Sequence, residues 1–332
     1  MTKHIFKAAV IGCGNIGAAI KRYGKNVQPA THAGAYQHNR RTRLVALVDV
    51  DKEKLAEAGR NFSGTRTYVD IKSMFRNERP DIVSIATPPQ MHYKNVLEAT
   101  KYKTPVVVCE KPIALSVTEA QRMIQRCKQS GSRLIINHTR RFDPLLSKWA
   151  RRLRKGFLGN IFQANAYYYN GIMNNGTHLV DFLTMYFGVP KAVCGWYNDI
   201  TKGNPGDPNI DGFIFFESGV RATIQSLSKN YGHFAFTFIG EKGILEIVKA
   251  GFKVFYRKKI PNNEFKGFFQ LSETVFEEGD VRSYFASMVK HVVNVLDGKE
   301  RPWSRGEDGL IALKILLALR KSADNNGKIV KV

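Results

Sequence analysis

Three stretches of this chain carry residue types that can do chemistry together. The first is Gly12-Cys13-Gly14-Asn15-Ile16-Gly17, which follows the short apolar run Lys7–Ile11 directly. Glycines at this spacing permit a tight turn at Gly12, close backbone approach to a pyrophosphate at Gly14, and a helix packed against the strand at Gly17. A helix starting there presents free N–H groups to phosphates. The whole run, Asn15 and Ile16 included, is a candidate dinucleotide-binding turn, and Ala18–Arg22 after it is compatible with helix.

The second is Asp49, near the end of the run Arg43–Val50. An acid at the end of a second strand accepts from the adenosine ribose hydroxyls and repels a 2′-phosphate, which favours NAD over NADP. The plainer alternative is a cap on the following helix. Arg22, Lys52 and Lys54 offer charge that would soften a preference for NAD. The third stretch is a pair of strand ends, Ala86-Thr87-Pro88-Pro89-Gln90-Met91-His92 and Cys109-Glu110-Lys111-Pro112. Strand C-termini line the ligand crevice of an open α/β sheet. A lysine in a partly dry cleft beside a nicotinamide can have a lowered pKa, hydrogen-bond a substrate hydroxyl and share its proton. Pro112 fixes the turn that aims Lys111. The alternative for Glu110-Lys111 is a solvated turn.

Alternating elements must position these groups. Strands are expected at Lys7–Ile11, Arg43–Val50, Asp81–Thr87, Pro105–Cys109 and Arg133–Asn137, with helices at Lys52–Asn61, Ile71–Asn77, Met91–Lys101 and Ser116–Ser130. That order implies βαβ units and a parallel sheet. The long link from Ile20 to Arg43 reads as an inserted loop near the cofactor cleft. After Asn137 a basic helix is expected over Pro144–Lys155, a strand over Ile161–Tyr169 and a helix over Asn175–Phe187. Short strands between 190 and 256 then suggest a mostly antiparallel sheet, and two helices close the chain near Asp280–Leu296 and Glu307–Asp324. The fold class is therefore α/β. A Rossmann domain over 1–138 precedes an α+β domain over 139–332 with a large, open-faced sheet, and the closing helices pack back on the first domain.

The 332 residues include 51 Lys and Arg against 28 Asp and Glu, a net charge of +23. Its densest cluster is Arg140, Arg141, Lys148, Arg151, Arg152, Arg154 and Lys155. That surplus suits a solvated basic surface or a phosphorylated substrate; without a zinc-finger or RNA-binding signature it marks no specific nucleic-acid partner. Four cysteines without a CxxC pair, and no histidine cluster at ligand spacing, imply no metal and a reducing, cytoplasmic setting. No apolar run approaches a membrane span.

In order along the chain, Gly12–Gly17, Asp49, Thr87-Pro88 with His92, Glu110-Lys111-Pro112, Arg141-Phe142-Asp143-Pro144 and Gly176-x-His178-x-x-Asp181 resemble the Gfo/Idh/MocA family of glucose-fructose oxidoreductase, inositol dehydrogenase and rhizopine catabolism. The resemblance spans most of the chain. It implies an NAD(P)-dependent oxidoreductase of a sugar, cyclitol or nucleotide-sugar, with Lys111 the catalytic lysine and His178 a second acid/base. Glu110 and Thr87-Pro88 would flank the nicotinamide half of the cofactor, and Arg141 and Asp181 would sit near substrate. One departure is Asn174, where better-known sugar dehydrogenases of the family carry an aspartate four residues before the histidine. Asn174 shares a helical face with His178 and can orient it or the substrate, or can cap the helix. The Asn-Gly-x-His stretch tilts the substrate toward a nucleotide-sugar. Tyr169, within Tyr167–Tyr169, can stack on a sugar; Phe213–Phe216 suits core or a subunit interface; Asn204–Asn209 suits a loop over the cleft. The family's open sheet face implies a homodimer or homotetramer. Two further readings are a tightly held, recycled NAD that serves epimerisation, elimination or glycoside cleavage, and a non-catalytic cofactor-sensing scaffold.

Overall fold

The computed structural model describes residues 4–20, 29–229, 231–280 and 283–332. It divides into two compact units, Met1–Asp143 with Val281–Leu313, and Pro144–Asp280 with Lys314–Val332. The first unit runs past 138 because Thr139–Phe142 forms a 3-10 turn whose Phe142 joins a core with Phe285, Met288 and Val289 of the helix Ser283–Leu296.

In the first unit, β1 (Phe6–Ile11), β2 (Thr42–Val48), β3 (Arg66–Tyr68), β4 (Ile82–Ile85), β5 (Val106–Cys109) and β6 (Arg133–Ile136) form one six-stranded sheet in the order β3-β2-β1-β4-β5-β6. Every pairing is parallel. Runs such as Val106-Val107-Val108-Cys109 are buried throughout, as strands covered on both faces must be. Between them lie α1 (His32–His38), α2 (Lys52–Asn61), α3 (Ile71–Glu78), α4 (His92–Lys101) and α5 (Val117–Ser130). Strand β3 has no sequence signal because none of its three residues is buried.

The segment from Ile20 to Arg43 is not simply a loop. The N–H groups of Ala18 and Ala19 bond to Gly14 O, which makes one turn after the glycine run. The N–H groups of His32 and Ala33 then bond to the carbonyls of Ile16 and Gly17, at 3.0 and 2.9 Å. Helix α1 thus continues the turn across an excursion, with Thr31 Oγ1 accepting from Gly34 N at its start. Lys21 and Arg22, expected to extend the first helix, lie outside the described residues.

The second unit opens with α6 (Pro144–Arg154), β7 (Ile161–Tyr169), α7 (Thr177–Phe187) and β8 (Pro190–Tyr197). A two-residue hairpin, β9 (Gly203–Asn204) and β10 (Asp207–Pro208), replaces the expected loop. The remaining strands are β11 (Ile210–Phe216), β12 (Arg221–Leu227), β13 (Ala235–Gly240), β14 (Gly243–Val248), β15 (Lys253–Pro261), β16 (Phe269–Leu271), β17 (Val275–Glu278) and β18 (Val330–Lys331). They complete a ten-stranded sheet, β16-β15-β14-β13-β7-β12-β11-β8-β18 with β17 beside β15, antiparallel except where β7 meets β12. Phe182 of α7 packs on Phe236 of β13, so this helix covers one sheet face. On β11, Ile214 and Phe216 are buried while Phe213 is 38% exposed, so the strand turns a second face outward.

Candidate functional site

Strand order in the first unit reverses between β1 and β4, and a crevice opens where two neighbouring strands send their connections to opposite faces. A cleft of about 690 Å³ lies there. Its wall includes Gly12, Gly14, Asn15, Ile16, Asp49, Thr87 and Pro88 of the expected cofactor residues. Gly17, His92, Glu110 and Lys111 are not in that wall.

The three glycines differ in what they make room for. Gly12 has φ +98°, and a Cβ there would lie 2.6 Å from Ala86 O. A Cβ on Gly17 would lie 1.8 Å from Gly12 O. These two hold the turn against the strand ends. A Cβ on Gly14 would meet no heavy atom within 4 Å among the described residues, and its bare backbone lines the cleft. Bare backbone of this kind is what close approach of a diphosphate requires.

Asp49 does not cap α2. That role belongs to Asp51, whose Oδ1 accepts from the N–H groups of Glu53 and Lys54. Asp49 instead accepts from Cys13 N at 2.7 Å and from Asp51 N at 2.9 Å, which fixes its carboxylate beside the glycine turn with lone pairs to spare. Lys54 also lines the cleft, but its Nζ pairs with Asp51 Oδ2 at 2.9 Å. Val50, Val69 and Met91 line the same cleft with exposed apolar side chains. Uncovered apolar groups beside a fixed carboxylate suit a flat heteroaromatic ring attached to a sugar.

His92 is fully buried, which removes it from direct contact with a ligand. Its ring bridges two strand-end loops, Nδ1 to Pro112 O at 2.8 Å and Nε2 to Thr87 O at 2.9 Å. Glu110 is likewise no surface acid. It is 7% exposed, and its Oε1 accepts from Asn137 Nδ2 at 2.6 Å and meets His32 Nε2 at 3.0 Å. Its Oε2 accepts from Lys111 N at 3.3 Å. Burial pushes this carboxyl up, but the His32 and Asn137 hydrogen bonds and the charge of Lys111 outweigh it and leave the group below its usual range. Lys111 is half-buried and precedes a cis peptide to Pro112.

Arg141, expected near substrate, lies within the first unit. Its guanidinium is buried, donates to Trp303 O at 2.9 Å and lies 3.4 Å from Asp308. It therefore anchors residues 303–308 within the first unit. The basic helix is also partly spent. Lys148 and Arg152 both reach Glu277, and Arg152 stacks 4.2 Å over Trp149.

In the second unit, Tyr169 ends β7. Tyr168 between its neighbours is buried and bonded to Ile210, so strand alternation turns Tyr167 and Tyr169 to the other face. The chain then enters a π-helical turn, Ile172–Gly176, which runs into α7. Asn174 sits within that wider turn and is not the N-cap of α7, which is Gly176. Such turns recur at functional sites. His178 and Asp181 follow on one face of α7, and both are buried. The turn is held from outside: Asp207 accepts from Met173 N and Asn174 N, and Asn209 Oδ1 accepts from Gly171 N. Asp207 and His32 escaped sequence reading. Each acts on residues far along the chain; the sole local hint was a histidine and an aspartate inside segments rich in turn formers.

A profile described as "Oxidoreductase family, NAD-binding Rossmann fold" matches residues 6–138, and one described as "GFO/IDH/MocA C-terminal domain" matches residues 159–246. A D-apiose dehydrogenase from Paraburkholderia graminis is 26% identical over 237 residues, 66% of this chain and 60% of that protein's length. The crystal structure of the WlbA dehydrogenase from Bordetella pertussis, in complex with NADH and UDP-GlcNAcA, superposes with a TM-score of 0.78 at 22% identity, covering 99% of both chains. An aldose-aldose oxidoreductase from Caulobacter crescentus gives the same TM-score at 22% identity, covering 99% of this chain and 100% of that one.

Proposed function

This chain belongs to the Gfo/Idh/MocA oxidoreductase family, and we propose that it moves a hydride between NAD(H) and a secondary alcohol or ketone of a sugar, cyclitol or nucleotide-sugar. The observation that carries this reading is the cleft between β1 and β4, where bare Gly14 and fixed Asp49 stand side by side. Gly12, Gly14, Asn15 and Ile16 would hold the diphosphate, Asp49 the adenosine ribose, and Val50, Val69 and Met91 the adenine. Thr87 and Pro88 lead toward the nicotinamide. When bound, the nicotinamide supplies or accepts the hydride. NAD is favoured over NADP because Asp49 repels a 2′-phosphate, while the Lys54 Nζ in the same cleft is paired with Asp51.

Lys111 exchanges the proton of the reacting hydroxyl. His178 keeps the role of a second acid/base, with Asn174, Asp181 and Tyr169 as substrate contacts. Arg141, braced by Trp303 O and Asp308, stays a candidate among them. A nucleotide-sugar is the substrate class to screen first, given the WlbA relative's complex. The outward β11 face with Phe213 and Phe215 supports assembly into a dimer or tetramer, and sedimentation of a Phe213→Lys variant tests it. Four free, buried cysteines support a reducing compartment, and among the described residues no helix is long and apolar enough to cross a membrane.

Fluorescence titration of the purified protein with NADH and NADPH, after a denatured sample is checked for bound nucleotide, tests the proposal. NADH-selective, exchangeable binding with NADH formed from a UDP-sugar, free sugar or inositol supports it. A cofactor that never exchanges favours the recycled-NAD reaction; binding of neither nucleotide overturns the oxidoreductase reading.

A further inference from the structure

A continuous chain of buried polar groups runs through the first unit behind Lys111. Tyr36 Oη lies 2.7 Å from Ser84 Oγ, Ser84 Oγ lies 2.9 Å from His32 Nδ1, and His32 Nε2 lies 3.0 Å from Glu110 Oε1. Tyr36, Ser84, His32 and Asn137 are each fully buried. One proton arrangement satisfies the chain. Tyr36 donates to Ser84, Ser84 donates to His32 Nδ1, and His32 Nε2–H donates to the Glu110 carboxylate. Burial holds the Tyr36 phenol protonated, which suits its place as the first donor. Tyr36, Ser84 and His32 are each bonded within the chain, which restrains Glu110 at its end, while Asn137 contributes only its amide nitrogen, its buried Oδ1 having no hydrogen-bond partner.

The same helix ties this network to the nucleotide turn. The His32 N–H bonds Ile16 O and the Ala33 N–H bonds Gly17 O, so His32 sits on a backbone continuous in hydrogen bonding with the glycine run. Its ring also packs edge-on against Phe285, at 5.1 Å between centroids. His32 has no route to a ligand in the cleft, since its ring is enclosed and both nitrogens are engaged. Its influence must pass through Glu110.

We infer that His32 is a positioning residue for the reaction: it holds the Glu110 carboxylate against the backbone of Lys111 and so sets the place and charge environment of that amine. This rests on the proposed role of Lys111. Besides His32, the titratable groups facing Glu110 are Lys111, Cys109 and His92. Cys109 is a fully buried thiol pushed up by burial, and His92 is locked between two carbonyls, so neither substitutes for His32.

Two substitutions cut the chain at different points. Gln places its amide nitrogen near the position of Nε2 and keeps the donor to Glu110. Asn matches Nδ1, keeps the Ser84 contact and leaves Glu110 without it. His32→Asn is expected to lower kcat by about 10²-fold, the cost of a misplaced reacting group, while the NADH Kd stays within about twofold of the parent. His32→Gln restores most of kcat. In His32→Asn the Glu110 carboxylate loses one donor and is held less firmly against Lys111, which then feels a weaker anionic neighbour, and the Lys111 limb of the kcat–pH profile moves to lower pH. Equal loss in the Gln and Asn variants that follows their thermal melts overturns the inference, as does an unchanged profile in His32→Asn.

Lys111→Ala separates this from the parent reading, which fails if that variant turns over normally. NMR of lysine-labelled protein, with Lys111 assigned through Lys111→Arg, then reads the inference without turnover. A Lys111 amine titrating at lower pH in His32→Asn upholds the link, and an unmoved titration overturns it.

Discussion

The Asp207 carboxylate accepts the backbone N–H of Asn174 at 3.0 Å, with the N–H of Met173 on its other oxygen at 2.7 Å. The turn that leads into His178 is thus held by a hairpin more than thirty residues further along. Asp207→Ala should destabilise this turn by about 0.5–2 kcal/mol, the range for losing a helix-capping oxygen. Asp207→Asn should keep part of that loss at bay, since one oxygen still accepts. Thermal melts and kcat for the pair check this; an alanine variant as stable and active as the parent would sink it.

Gly14 and Gly17 make opposite demands. Gly17→Ala forces a Cβ against Gly12 O and should cost about 1–3 kcal/mol as the helix is pushed from the strand. Gly14→Ala meets no heavy atom within 4 Å among the described residues, so the fold should tolerate it, while NADH affinity falls because the methyl intrudes where a diphosphate would approach. Melting curves set beside nucleotide titrations of both variants give the comparison. Equal NADH affinity in Gly14→Ala and parent would remove the diphosphate from that position.

Asp49 is held by Cys13 N and Asp51 N, so it keeps its place whether or not a ribose is present. Asp49→Ser should weaken NADH by about tenfold, the worth of about one charge-assisted hydrogen bond of 1.5 kcal/mol. NADPH should weaken less, because the repulsion of its 2′-phosphate is lost as well. The ratio of the two dissociation constants is the readout, and an unchanged ratio rules out ribose reading by Asp49.

Arg41 grips Asp297 with two nitrogens, at 2.8 and 3.2 Å, and Lys299 adds a third contact at 2.8 Å. The Arg41 and Lys299 hydrogen bonds hold the Asp297 carboxyl down at about 2. A carboxyl lower in the folded than in the unfolded chain contributes stability that is complete above about pH 4 and lost as the pH falls toward 2. Arg41→Gln should therefore be less stable than the parent at neutral pH, with the gap closing in acid. Denaturant midpoints on both sides of that window measure it; a gap independent of pH would contradict the pairing.

Local pattern was enough to recover five of the six strands of the parallel sheet, β3 excepted, since runs such as Val106–Cys109 admit few other readings and the glycine run follows a strand directly. It was enough for α2 and β7, whose bounds match the expected ones. It failed where the deciding contact is remote. Helix α1 is held by carbonyls sixteen residues earlier, and Asp207 reaches back to Met173 and Asn174. It failed again at β16 and β17, where exposed residues on a sheet edge carry no buried periodicity.

The His32 N–H takes the carbonyl that residue 20 would take in an unbroken helix, since a helical N–H reaches back four residues. Positions 20 to 31 are in that sense a spliced-in passage: the helix keeps its rotational phase on either side of them. A chain rejoined from Ala19 to His32 would preserve both the glycine turn and the buried histidine. The register of α1 is thus set by the carbonyls of Ile16 and Gly17, so the glycine run fixes the phase of the helix that carries the buried histidine.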